Sequence, residues 1–219
     1  ALDGKSTASH AHRSRSVPIL KNLPSAPHWG PRVVKNMPLA MVAEHLSINE
    51  LYRLSWGAKN AHGEAWEALK AEFDQRLIQM KKSALQEGWL TPQGVYGYWP
   101  CQSEGNALLI YDPHSLQKGE PEELTRFIFP RQEGADGLCL ADYFAPRDTG
   151  LIDVVALQVV TVGHTATQRY TELEAEGMYT EAFYRHGLAV QMAEAAADYL
   201  HAHIRRELNL DPERGKRYS

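Results

Sequence analysis

The 219 residues carry 23 basic and 27 acidic side chains for a formal net charge of −4, mixed along the chain, so no positive field suited to a phosphate backbone is expected and nucleic acid is excluded as a partner. A hydrophobic content of 43% suffices for one large domain or two small ones, while the longest apolar runs, such as Val154 to Val162 with Gln158 and Thr161 inside it, fall short of a membrane span. No signal-peptide pattern opens the sequence, which leaves a cytoplasmic location without a membrane partner as the expectation. Cys101 and Cys139 stand in separate segments without CxxC spacing, which excludes a disulfide framework and a thiolate zinc site and predicts free, buried or half-buried thiols.

The first thirty-odd residues are rich in Ser, Pro, His and Arg without a sustained period, the composition of a linker or an arm in extended structure. Asn36 then offers a helix N-cap with Pro38 in the first turn, and INELYRLSW continues at helical spacing, so two short helices are predicted. From His62 to Glu87, Trp66, Leu69, Phe73, Leu77, Met80 and Ala84 recur every three or four residues until Gly88, the pattern of an amphipathic helix. GVYGYWPCQSEGNALLIYD, ELTRFIFP and LIDVVALQVVTVG are β-branched, aromatic and bounded by Gly, Pro and Asp, so they read as strands of one sheet. Helices are expected again near Thr165 to Glu176 and from about Thr180 to Leu208. Strands segregated between helices predict an α+β fold with an antiparallel or mixed sheet, since a doubly wound parallel sheet would need strand and helix to alternate.

Few constellations carry chemistry. His201 and His203 point some 200° apart round a helix, which disfavours a shared metal ion and leaves them facing solvent. Glu172, Glu174 and Glu176 read as a solvated face. Phosphate loops, dinucleotide fingerprints, nucleophile elbows and HExxH are absent from the sequence. Tyr96, Tyr98 and Trp99 are either sheet packing or a ligand wall, in which glycine would let a planar group approach the backbone.

GVYGYWP with NALLIYD, LADYFAPRDTGLIDVVALQVVTVG, AEAAADYLHAHIRREL and RGKRYS together resemble the C-terminal reactivation domain of cobalamin-dependent methionine synthase, in order from about Pro38 to Ser219. The resemblance implies a single C-shaped α+β domain with a central antiparallel sheet flanked by helices at 36–219, and a connector from a preceding cobalamin-binding domain at 1–35. It also implies a module that is not a complete enzyme by itself. The module binds S-adenosylmethionine and presents its methyl group to cobalamin after one-electron reduction by a flavodoxin or similar donor. The cobalamin belongs to the neighbouring domain, and zinc only to a homocysteine module outside this sequence. The alternatives are a scaffold or binding domain of the same fold that has lost the ligand and, ranked last, an independent methyltransferase.

Residue by residue, Arg217 stands at the family's ligand-binding arginine, where a planar guanidinium suits the methionyl carboxylate, and the backbone of Ser219 is a second ligand contact. The Gly-Tyr-Pro that completes the family's signature is missing from these residues, so the resemblance implies a C-terminally incomplete domain that lacks part of the ligand wall. HLSINELY carries Ser47 and Asn49 where the family commonly has an aspartate for the ligand's amino group, with Glu50 the nearest acid. Glu194 matches a glutamate that faces the lower-ligand histidine of the cobalamin domain when the two domains dock, and Val190 stands at a position acidic in some members. No metal ligand and no acid–base catalyst is expected.

Overall fold

The computed structural model describes residues 13–116, 118–119, 121–134 and 136–210. The sheet has five strands, β1 (Gly30–Val34), β2 (Gln93–Glu104), β3 (Ala107–Tyr111), β4 (Glu123–Ile128) and β5 (Asp153–Thr161), in the order β1-β2-β3-β4 with β5 paired to β2. β2 and β3 are antiparallel with Cys101 opposite Ile110, and β3 and β4 are antiparallel with Leu108 opposite Phe127. After β1 come α1 (Leu39–Ala43), α2 (Ile48–Glu50) and α3 (Gly63–Glu87); the short α4 (Pro113–Leu116) lies between β3 and β4, and α5 (His164–Ala175) and α6 (Tyr179–Glu207) follow β5. The fold is α+β, as the segregation of strands and helices predicts.

The chain divides into two compact units. One takes the chain up to Pro31, Gly97–Leu157 and the chain from Arg206. Its apolar centre is Cys101, Leu108, Ile110 and Val155, with Trp99, Phe129 and Phe144 packed against them. β3 is buried along its whole length, whereas all six residues of β4 at the end of the strand path are exposed.

The other unit takes Arg32–Tyr96 and Gln158–Arg205. In α3 the buried residues Phe73, Leu77, Met80 and Ala84 repeat at four, three and four, and Gly88 ends the helix at a φ of 66°, its N–H on the Ala84 carbonyl at 3.1 Å. α6 buries Leu188, Met192, Ala195, Ala196, Leu200 and Ile204 at the same helical spacing. Two features depart from the sequence expectation: α1 begins after Pro38 instead of at Asn36, and the segment after α2 is a π-helical turn, Leu51–Ser55; residues 30–34 of the arm, expected to be extended, are a strand of the sheet. The π turn follows from what it touches: Trp56 donates its indole N–H to the Tyr184 carbonyl at 3.0 Å, and Ser55 Oγ accepts from Gln191 Nε2 at 3.1 Å. Gly187 makes room for that contact, since a Cβ there would stand 2.9 Å from Trp56 Cδ1 and 3.1 Å from the Ser55 carbonyl oxygen.

Candidate functional site

β2 is where the aromatic stretch resolves. A Cβ on Gly94 would stand 2.9 Å from the Val159 carbonyl oxygen and 3.0 Å from Met37 Cε, and one on Gly97 would overlap the Gly30 carbonyl. The space that these glycines keep open is therefore filled by protein backbone and side chains. Tyr96 and Tyr98 are both buried. The Tyr96 hydroxyl lies 3.1 Å from His203 Nε2, and the Tyr98 hydroxyl donates to Glu207 Oε2 at 2.7 Å. Trp99 packs against the apolar centre around Cys101. The tyrosines are packing residues whose polar tips fasten the last two turns of α6.

That fastening bears on the candidate ligand residues. Arg217 and Ser219 lie outside the described residues, and α6 ends at Glu207, ten residues before Arg217. The Tyr98–Glu207 bond therefore holds the end of the helix that leads into the arginine signature. Sequence reasoning weighed His203 only as a metal ligand and missed Glu207, and their partners stand 107 and 109 residues away in the chain, a separation that no local pattern reveals. His203 is half-buried beside Tyr96, which corrects the expectation that it faces solvent, while His201 is exposed. Among the described residues no cluster of His, Cys, Asp and Glu could hold a metal ion, and no helix is long and apolar enough to cross a membrane.

Glu194 is exposed on α6, between the buried pairs Gln191–Met192 and Ala195–Ala196. It makes no hydrogen bond or ion pair with the other described residues, and Val190 one turn earlier is 44% exposed. Ser47, Asn49 and Glu50 are likewise exposed at the start of α2. Ser47 is the N-cap residue, yet its side chain makes no capping bond. Glu172 is engaged by Arg169 at 3.0 Å and Glu174 by the Tyr170 hydroxyl at 2.6 Å, so this run is structural surface.

Each unit also has a cavity. One of about 510 Å³ is lined by Glu72, Gln75, Arg76, Gln79, Ser83 and Arg185, among others, and there Glu181 binds both guanidinium groups, Arg185 Nε at 2.9 Å and Arg76 at 3.4 Å. The other, about 470 Å³, is walled by Arg13, Ser103, Asp142 and Arg147 among others. Neither cysteine offers a reactive thiol: both are buried, and burial first, then the nearby Asp153 charge, push the Cys101 thiol far above its ordinary range.

Residues 58–212 match the family model described as "Vitamin B12 dependent methionine synthase, activation domain". The chain is 33% identical over 203 residues to the methionine synthase of Mycobacterium tuberculosis (strain ATCC 25618 / H37Rv), covering 88% of this chain and 17% of that protein. It is 31% identical over 201 residues to the methionine synthase of Mycobacterium leprae (strain TN), covering 88% and 16%. It thus spans about a sixth of the length of these curated relatives. Its fold is similar to a crystal structure of the MetH reactivation domain bound to AdoHcy, with a TM-score of 0.75 and 21% identity over 88% of this chain and 61% of the other.

Proposed function

The chain belongs to the activation-domain family of vitamin B12 dependent methionine synthase, and from that premise we propose that it binds S-adenosylmethionine and presents the sulfonium methyl to a cobalamin held by a neighbouring domain of the same polypeptide. The observation that carries this reading is the similarity to a reactivation domain solved with AdoHcy, which is S-adenosylmethionine without its transferable methyl. Cobalamin held by that neighbouring domain would supply the nucleophile for the methyl after one-electron reduction by a flavodoxin or similar donor, and AdoHcy would be the product left on this chain. A sulfonium methyl is strongly electrophilic, so the protein's part is alignment, and no acid–base pair is needed.

The described residues suit these tasks. Asn49 and Glu50 offer acceptor oxygens for an ammonium group in the segment where the family places its aspartate. Arg217 is the carboxylate partner and the Ser219 backbone a second contact in this reading. The exposed Glu194 carboxylate is free to hold the histidine displaced from cobalt when the domains dock. A hydrogen bond of that kind, stronger for an imidazolium, biases the docked state by about 1–2 kcal/mol. The arm before residue 36 is, in the same reading, the connector to the cobalamin-binding domain.

Titration calorimetry with S-adenosylmethionine and AdoHcy on the polypeptide carrying residues 13–219 and its continuation tests the proposal. Arg217→Ala should raise the Kd by about 10- to 150-fold, the worth of one or two charge-assisted hydrogen bonds. Equal affinity in the alanine variant refutes the assignment of Arg217, and no binding by the parent favours the scaffold alternative.

A further inference from the structure

Ser14 is the only buried residue among those described before Met37, in an arm that is otherwise exposed or half-exposed. Its backbone N–H donates to Asp142 Oδ2 at 3.1 Å, across 128 residues of sequence. Beside it the Arg13 guanidinium donates to the Phe144 carbonyl at 2.9 Å, and the Ser16 N–H folds back onto Ser14 Oγ at 3.2 Å. The landing point is itself tied down by contacts that do not involve the arm. Asp142, 1% exposed, takes two hydrogen bonds from Arg131, at 2.5 and 3.0 Å, and one from the Cys139 N–H at 3.3 Å. Arg131 is itself fixed by the Asn106 side chain at 3.1 Å and the Gly137 carbonyl at 2.6 Å. All of these residues belong to one compact unit. An N–H delivered to a buried, already ion-paired carboxylate is a directional contact, and losing it leaves a buried amide without a partner.

We infer that Arg13–Ser16 is a strap that fixes the origin of the interdomain tether on Asp142, so that the arm does not act as free linker up to residue 35. Releasing the strap frees the stretch from Arg13 to Pro27, in which no residue but Ser14 is buried, as far as His28, which meets Tyr98 edge-on at 5.0 Å. This inference rests on the reactivation reading, because it supposes a domain on the arm that must dock. For a flexible tether the effective concentration of one domain at the other falls as about the −3/2 power of tether length, so each doubling weakens docking roughly threefold with no contact changed. The strap therefore sets how readily the reactivation state forms, while taking no part in ligand binding.

Two variants separate these roles. Ser14→Pro removes the N–H and leaves the Asp142–Arg131 pair intact; Arg13→Ala removes only the Phe144 contact. By hydrogen exchange on the full-length polypeptide, the Ser14 and Ser16 amides should be protected in the parent; Arg13→Ala should speed both tenfold or more and Ser14→Pro, which has no amide at position 14, that of Ser16, without changing β3. In the full-length polypeptide, Ser14→Pro should lower the histidine-off fraction of cob(II)alamin about two- to fivefold, while AdoHcy affinity stays that of the parent. Fast exchange of these amides in the parent overturns the strap. Accelerated exchange with an unchanged cob(II)alamin spectrum overturns its control of docking. Absence of AdoHcy binding in the parent refutes the reactivation reading and with it the docking role, while the exchange result still decides whether the strap exists.

Discussion

Tyr98 is completely buried on β2, and its hydroxyl ends on the half-exposed carboxylate of Glu207. Removing the hydroxyl in Tyr98→Phe loses a hydrogen bond to a charged acceptor, worth about 1.5–3 kcal/mol, but water can reach Glu207. The lower end, about 1.5 kcal/mol, is therefore expected, and a urea melt reads it as a fall in midpoint at constant slope. Gly97→Ala is the harsher change: its Cβ would overlap the Gly30 carbonyl, so β1 must move, at about 1–3 kcal/mol by the same measurement. A result for Gly97→Ala indistinguishable from the parent would mean that the β1 contact is not made in solution. The sequence shows that these glycines and tyrosines matter but not why. Packing and ligand contact ask for the same residue types, and only the identity of the neighbours, Val159, Gly30, His203 and Glu207, distinguishes them.

At the scale of elements, α3 and α6 were legible because burial on one side of a helix writes a three-four repeat into the chain, and Gly88 marks where α3 stops. The π turn and β1 were not. The first is imposed by Trp56 and Ser55 reaching Tyr184 and Gln191, and the second is a five-residue strand with three exposed residues and hence no alternating signature. Around the turn, Tyr52 stacks on Trp56 at 5.3 Å, and Phe73 meets both edgewise at 5.3 and 5.2 Å while Tyr184 closes the cluster. The Tyr52 hydroxyl is pushed well above its usual range, by burial first and then by its 2.7 Å bond to Asp74, so it stays a neutral donor. Phe73 stands at the centre of this cluster and is 1% exposed, so Phe73→Ala should cost about 3–5 kcal/mol of stability, visible in calorimetry and in urea. A loss below 1 kcal/mol would mean that the cluster does not hold α3.

For the molecule as a whole, the candidate site was only partly legible. Glu194 stands exposed and without a partner among the described residues, off the apolar face of α6, whereas nothing local in the sequence marks Asp142 as a hub, because its partners come from positions 14, 131 and 139. That hub sets the molecule's response to acid. Burial alone would raise the Asp142 carboxyl; the hydrogen bonds from Arg131, Ser14 and Cys139 and the Arg131 charge outweigh it and hold the group below the usual aspartate range. A carboxyl whose folded value is depressed contributes stability that is fully present above its unfolded value, about 3.9, and is lost as pH falls through the lower folded value. Glu123, also lowered by its bond to Arg126, shifts in the same direction, but this pair is on the surface, where such pairs contribute little. Stability should therefore fall as pH drops below about 4, with a slope that Asp142→Asn flattens, while at pH 6 the same variant is less stable than the parent because Arg131 is left without its counter-charge. Urea midpoints at pH 6, 4, 3 and 2.5 for both proteins decide the point: parallel curves would show that another carboxylate governs the acid response.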